Sequence, residues 1–317
     1  MPDSQLNAVY SSLRMKRRYE VWFLRCGLAD GSGAWWFRYL LTNLGRGGCS
    51  AENAKMPVQV WATWFPRAGQ PQTFIQGFPT TQLDLTGRFQ LPFHCRVAES
   101  GIDESSCWGK LNVDGHAISW NLRNRTNFGV TLSDKGWIGF SRSPHSDAVF
   151  SGEILFNGQR FSGDPLGFGV QGHNCGYRHR TFWRWMHAYF PQPDGSASTL
   201  EALIYDMPFG LLFRKAVLWH KGRAFILKNL REKEIVREGN HLKWHFTATR
   251  GDTSLDATIE AAAPGIHQLP YVKTDCSGTF PVSNASLARA TLRLGKNLDE
   301  VLETPFGAVL EMGGDES

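Results

Sequence analysis

The chain has 317 residues, of which 42% are hydrophobic and 13% aromatic, and its formal net charge at pH 7 is +5. This length and composition predict a globular protein of two domains and argue against a disordered chain. Much of the positive charge lies in the run RMKRR at 14–18, and no basic stripe alternates with aromatic residues, so a nucleic-acid partner is not expected.

Short alternating segments follow one another along the chain, each bounded by Gly, Asn, Asp or Pro. The predicted strands are 19–26, 34–42, 58–65, 116–123, 148–158, 181–190, 200–207, 210–220, 223–230, 241–249, 256–263, 288–294 and 307–313. Helical periodicity is confined to 6–17 and 296–303, where two short helices are predicted. The chain is therefore expected to be all-β, with antiparallel strands that form barrels or sandwiches.

The six cysteines are scattered, without a CxxC pair. The first residues, MPDSQLNAVYSS, contain no charged region followed by an apolar run, and no apolar segment approaches the ~20 residues that cross a bilayer. We therefore expect a cytoplasmic protein with reduced cysteines in its core and at most transient contact with a membrane surface. The sequence leaves the oligomeric state open.

A glycine-rich run, DPLGFGVQG at 164–172, is predicted to be a hinge between two β-domains, 1–165 and 166–317. It contains GFGVQG, which has the spacing of the dinucleotide-binding GxGxxG motif. That motif must follow a strand and open a helix, whereas the residues after this one alternate like a strand. The hinge is the better interpretation.

The strand predicted at 181–190 has one strongly aromatic face. Successive side chains of a strand point to opposite sides, which places Trp183, Trp185, His187 and Tyr189 together. Such a wall suits a flat or elongated apolar ligand, so these four residues are predicted to bind substrate.

His173 and Asn174 precede this strand and lie between glycines. A sharp backbone there would present both side chains to a cavity, where histidine can move protons and asparagine can donate and accept hydrogen bonds. Both are candidate catalytic residues, and a turn with purely structural hydrogen bonds is the alternative. The three histidines His173, His179 and His187 have no metal-binding spacing, so a metal is not expected.

Isolated charges interrupt several apolar strands. A buried carboxylate either pairs with a cation or has its pKa raised and becomes a general acid, which makes Glu153 a catalytic candidate. Glu20 and Arg38 would lie on adjacent strands of a hairpin, where a structural ion pair is favoured over catalysis. Both are also assigned to the substrate site. Glu201 is expected to be exposed.

Six segments together resemble one family. They are YEVWFLR, WWFRYLL, SGEILFNG, GHNCG with its aromatic strand, LARATLRL and GAVLEMG. The chain resembles the two-domain lipocalin-like group that includes carotenoid 1,2-hydratases, tocopherol-cyclase-like proteins and lipocalin-like cyclases. The resemblance implies two packed lipocalin-like barrels, a cavity for an isoprenoid- or polyene-like molecule, and no redox cofactor or metal. In hydratase-like members an acidic residue precedes the His–Asn pair and an aromatic one follows it, whereas this chain has Gly172 and Cys175.

Three functions follow from these observations. The first is a cofactor-independent cyclase, isomerase or hydratase acting on an apolar substrate, with aromatic rings that stabilise developing positive charge. The second is a non-catalytic carrier or sensor of lipophilic ligands, which the same cavity would support. The third is a structural or interaction module without a sizeable cavity.

Overall fold

The computed structural model of the chain describes residues 4–296 and 298–314. As predicted, it is all-β. Strands of the first half are β1 Tyr19–Leu28, β2 Gly33–Thr42, β3 Val58–Pro66, β4 Gln72–Phe78, β5 Leu83–Thr86, β6 His94–Val97, β7 Ser100–Asp103, β8 Ser106–Val113, β9 His116–Arg125, β10 Val130–Asp134, β11 Gly139–Phe156 and β12 Gln159–Gly176. Strands of the second half are β13 Phe182–Pro191, β14 Ala197–Asp206, β15 Leu212–His220, β16 Arg223–Leu227, β17 Arg231–Glu238, β18 His241–Arg250, β19 Thr253–Ala262, β20 His267–Val272, β21 Thr279–Lys296 and β22 Glu300–Gly314.

Helices within the described ranges are short 3₁₀ turns. They are Ser4–Asn7, Leu44–Arg46, Asn53–Lys55, Thr80–Gln82, Gly136–Ile138 and Pro208–Gly210. No helix of this part of the chain is long and apolar enough to cross a bilayer.

The strands form two antiparallel sheets with the same plan. The first has the order β4-β3-β2-β1-β12-β11-β9-β8-β7-β6-β5, and β10 pairs with β11. The second has the order β16-β15-β14-β13-β22-β21-β19-β18-β17, and β20 pairs with β21. In each sheet the last strand along the chain pairs with the first. Each sheet also curls, so that β4 contacts β8 in the first sheet and β16 contacts β18 in the second. The two sheets are therefore nearly closed barrels with a repeated topology.

Alternation along the strands separates three apolar cores. In β1, Trp22 and Leu24 point into the first barrel, whereas Val21 and Phe23 point out of it. In β13, Met186, Ala188 and Phe190 point into the second barrel in the same way. The third core lies between the barrels, where their outer faces pack together. Both barrel interiors are thus occupied by protein side chains.

Arg25 joins the two barrels. Its guanidinium is buried and donates hydrogen bonds to backbone carbonyls of the second barrel: Ser286 at 2.7 and 3.1 Å, Phe306 at 2.6 Å and Gly307 at 3.4 Å. Burial lowers the pKa of Arg25 to about 10. Carbonyl oxygens, rather than a carboxylate, therefore satisfy this interface cation.

The hinge prediction is wrong, because 164–172 lies inside strand β12, which pairs with β1 and β11. Its glycines permit close packing: a Cβ at Gly169 would lie 1.9 Å from the carbonyl oxygen of Arg25, and one at Gly167 would lie 2.3 Å from that of Gly27. The first sheet extends past 165 to Gly176, and the connection between the sheets is 177–181.

Neither predicted helix is present. Within 6–17, the backbone N–H groups of Tyr10 and Ser11 donate to the Glu20 carboxylate instead of forming a helical ladder. The segment 296–303 contains the end of β21 and the beginning of β22, and residue 297 lies outside the described residues. The prediction of six reduced cysteines is also wrong, because Cys49 and Cys276 form a disulfide between the two halves of the chain. Cys26, Cys95, Cys107 and Cys175 are free and buried, as expected.

Candidate functional site

A cavity of about 920 Å³ lies between the two barrels. Its aromatic lining comes from both halves of the chain: Phe23, Trp36, Trp183, Trp185, Tyr271 and Phe280. The size is that of a cavity for a drug-sized ligand. The site therefore belongs to the interface between the barrels, and not to the interior of either one.

Strand β13 supplies one wall, as its alternation predicts. Trp183 and Trp185 point to the cavity, while Met186 and Ala188 of the same strand fill the second barrel. The indole Nε1 of Trp183 donates to Glu311 at 3.0 Å. This hydrogen bond restrains the orientation of the Trp183 ring in the wall.

His187 and Tyr189 share this face but lie outside the cavity. The Nε2 of His187 donates to the carbonyl of Ser146 at 2.7 Å, and burial lowers the pKa of this buried histidine to about 3. Tyr189 stacks on Phe168 with ring centroids 5.2 Å apart. Both residues pack in the contact between the barrels.

His173 and Asn174 point in opposite directions, because both lie in the regular strand β12. His173 is buried on the barrel side, where Nδ1 lies 2.7 Å from the carbonyl oxygen of Leu6 and Nε2 lies 2.8 Å from Oε1 of Glu20. Its ring also stacks on Trp22. Asn174 lines the cavity, and its buried Oδ1 has no hydrogen-bond partner among residues 4–296 and 298–314.

The ion pair expected between Glu20 and Arg38 does not form. Strands β1 and β2 are neighbours, but their register sets Glu20 opposite Leu41 and Arg38 opposite Phe23. Glu20 therefore faces the interior of the first barrel, and Arg38 faces the cavity. Glu153 lies away from both, half-exposed on β11, where it pairs with Arg160 at 3.3 Å. Of the predicted catalytic residues, the cavity contains only Asn174.

Several groups at this site were not predicted from the sequence. Tyr271 and Glu311 lie in the cavity wall, and the Tyr271 hydroxyl donates to Glu311 at 3.0 Å. His179 lies in the connection 177–181 and stacks on Tyr19 with centroids 4.2 Å apart. Burial and the charge of Arg38 lower the pKa of His179 to about 3, which keeps its imidazole neutral. Only the interruption of an apolar strand by Glu311 gave a signal in the sequence.

Glu201 is buried, not exposed. It accepts hydrogen bonds from Trp185 at 2.9 Å and from two serines of the first barrel, Ser143 at 2.6 Å and Ser146 at 3.3 Å. Burial raises the pKa of Glu201 to about 7. A carboxyl group that titrates near neutrality therefore lies directly behind the tryptophan wall.

Gly172 leaves no room for the acidic side chain that the family resemblance implies before the His–Asn pair. A Cβ at this position would lie 2.1 Å from Cζ of Phe23. The Phe23 ring is itself held, since it stacks on Trp36 at 5.3 Å and meets Trp185 edge-on at 5.5 Å. In this protein an aromatic ring occupies the space above Gly172.

Within the described ranges, no three His, Cys, Asp or Glu side chains converge in a way that could hold a metal ion.

Two nearly closed barrels of repeated topology, packed through their outer faces, define a lipocalin-like all-β fold. Solved structures with this fold include CghA and CghA with Sch210972. Each is 12% identical to the chain with a TM-score of 0.66, over 95% of this chain and 89% of CghA. Kievitone hydratase from Nectria haematococca is 11% identical, with a TM-score of 0.57, over 98% of this chain and 94% of the hydratase. No family model and no curated protein matches the sequence. The likeness establishes the fold.

Proposed function

We propose that this protein is an enzyme of the cyclase, isomerase or hydratase type that acts on an apolar, isoprenoid- or polyene-like molecule bound between its barrels. The observation that carries the proposal is the 920 Å³ aromatic cavity lined by Asn174, whose buried amide oxygen has no hydrogen-bond partner among the described residues. An apolar chain would fill the cavity, and a single polar atom would be oriented by Asn174.

The walls suit a reaction that passes through positive charge. Indole and phenol faces attract a cation, and a cavity that excludes water protects it from capture. Kievitone hydratase is a hydratase by name and shares the fold. In this chain, however, Phe23 fills the space beside Gly172 where an acid would stand. Cyclisation or isomerisation guided by the shape of the cavity is therefore proposed ahead of hydration by a carboxylic acid.

Native mass spectrometry of freshly purified protein tests whether an apolar molecule is bound. Any molecule found is then incubated with protein, together with the C20 alcohols retinol and geranylgeraniol, and the products are separated by chromatography. An enzyme converts one of them to a product with a different retention time, which has the same mass after cyclisation or isomerisation and is heavier by one water after hydration. Release of every ligand unchanged supports the carrier. If no ligand raises the melting temperature, neither function holds.

Asn174→Ala locates the activity. We expect turnover to fall by up to about 10-fold, since one oriented hydrogen bond is lost. Asn121→Ala, on the exposed outer face of β9, is the matched control and should leave turnover unchanged. Equal turnover by both variants would remove the reaction from this cavity.

A further inference from the structure

Arg38 is a buried cation that forms no ion pair within the part of the chain that the structure describes. The residue is 3% exposed and lines the cavity, and its buried Nη1 has no hydrogen-bond partner among residues 4–296 and 298–314. Buried charges are normally paired, because leaving water costs several kcal/mol per ion. A partner for this guanidinium is therefore expected from outside the chain.

Two aromatic rings stack on the guanidinium of Arg38. The guanidinium carbon lies 4.1 Å from the ring centroid of Tyr271 and 4.7 Å from that of Trp61. Stacking of this kind uses the faces of the guanidinium, whereas its N–H donors point outward in the plane. The buried Nη1 is one of these unused donors. A fork of N–H groups in a cavity matches a carboxylate, which can accept two hydrogen bonds at once.

Cationic side chains outnumber carboxylates around the cavity. Its lining includes four further cations, Arg17, Arg178, Arg180 and Lys273, against two carboxylates, Asp275 and Glu311. Glu311 already accepts hydrogen bonds from Trp183, Tyr271 and Asn284, so each of its oxygens has a donor within the protein. An anion that approaches the opening would be attracted by the outer cations before it reaches the buried one.

We propose that the ligand of this cavity is an amphipathic anion, with an apolar body against the tryptophan wall and a carboxylate-like head group on Arg38. The inference rests on the proposed function, because it names the chemical class of the molecule that the cavity binds. It makes Arg38 the residue that selects acids over the corresponding alcohols and esters.

Matched pairs of probes test the selection: retinoic acid with retinol, farnesoic acid with farnesol, and oleic acid with methyl oleate. Binding is measured by quenching of tryptophan fluorescence and by calorimetry. We expect wild-type protein to bind the acid of at least one pair about 10- to 100-fold more tightly than its neutral partner, the range for hydrogen bonds to a charged group. In Arg38→Met the preference should fall to within about 3-fold, while affinity for the neutral probe stays the same.

Control variants separate the sources of any preference. Arg160→Met removes an exposed arginine away from the cavity and should change nothing. The double variant Arg17→Gln, Arg178→Gln removes two outer cations. Their contribution to the preference for the acid should disappear in 1 M salt, whereas the contribution of Arg38 should persist. Arg38→Gln keeps a polar side chain in the same space and replaces Arg38→Met if the latter folds poorly, as judged by melting temperature.

Two results would overturn the proposal and leave the proposed function intact. One is equal affinity for the acid and the neutral member of every pair that binds. The other is an acid preference that survives in Arg38→Met and is lost with the outer cations. If no probe of any pair binds, the apolar site fails, and the proposed function fails with it.

Discussion

The indole N–H of Trp185 donates to Oε1 of Glu201 at 2.9 Å, which connects a wall of the cavity to a buried carboxyl group. Ser143 of the first barrel donates to the same oxygen at 2.6 Å. The protonation state of one carboxyl group therefore acts on both the cavity wall and the contact between the barrels.

Stability should decrease as Glu201 ionises. Its pKa in the folded protein is about 7, against an ordinary value of 4.5, so the folded state binds this proton more tightly than the unfolded state does. The corresponding stabilisation is complete below about pH 4.5 and is lost as the pH rises through 7, which amounts to about 3 kcal/mol. Chemical denaturation gives the change in the free energy of unfolding between pH 5 and pH 8. That change is larger in wild type than in Glu201→Gln by the contribution of Glu201. The half-exposed Glu153→Gln is the control, and an equal pH dependence in wild type and Glu201→Gln would contradict the assignment.

His173 and Asn174 should separate stability from activity. His173→Ala leaves the buried Glu20 carboxylate without its histidine partner, which should lower the free energy of unfolding by about 3–5 kcal/mol. Asn174→Ala removes an oxygen that has no partner in the described residues, so its cost should stay below about 1 kcal/mol. Urea denaturation of both variants, with turnover measured in parallel, checks the contrast. Equal destabilisation would mean that both side chains serve the fold.

Gly172 and Phe23 should show strong coupling. Gly172→Asp forces a side chain against the Phe23 ring and should cost about 1–3 kcal/mol. In the Phe23→Ala background the same substitution should cost less, and a double-mutant cycle should give a coupling of about 0.5–3 kcal/mol. Gly239→Asp, at a glycine whose Cβ would meet no atom within 4 Å, is the control. Strict additivity would show that the ring moves aside freely.

The disulfide between Cys49 and Cys276 should stabilise the protein. Its cysteines are 227 positions apart, so it restrains a long loop of the unfolded chain, and Cys49→Ser should cost about 2–4 kcal/mol. Melting temperatures with and without reductant, together with thiol counts on rapidly quenched cells, check this. The Cys49→Ser, Cys276→Ser double variant should be insensitive to reductant. Six free thiols in the folded protein would contradict the disulfide. Four free thiols in quenched cells would mean that the disulfide forms in the compartment where the protein is found.

The alternation of side chains predicted which face of a strand is aromatic. It did not predict which residues of different strands contact one another. The separation of Trp183 and Trp185 from Met186 follows from a period of two, which is a property of the strand alone. The opposite directions of His173 and Asn174 required knowing that β12 is a continuous strand, and that depends on pairing with β1 and β11.

Register was the other information that the sequence did not contain. A hairpin of β1 and β2 was predicted correctly, but a shift of one residue exchanges the two faces of a strand. The observed register puts Glu20 inside the barrel and Arg38 outside it. Tyr271 and Glu311 come from strands far along the chain, so their place in the same cavity as Arg38 depends on how the two barrels pack.

The position of the cavity on the outer faces of the barrels has an evolutionary consequence. The side chains that would recognise a ligand, such as Trp36 and Trp183, belong to a different core from those that fill each barrel. Substitutions that alter ligand preference can therefore accumulate without repacking either barrel interior. A lineage with this architecture can acquire new substrates while its folding determinants stay fixed, which is consistent with a shared fold at 11–12% identity.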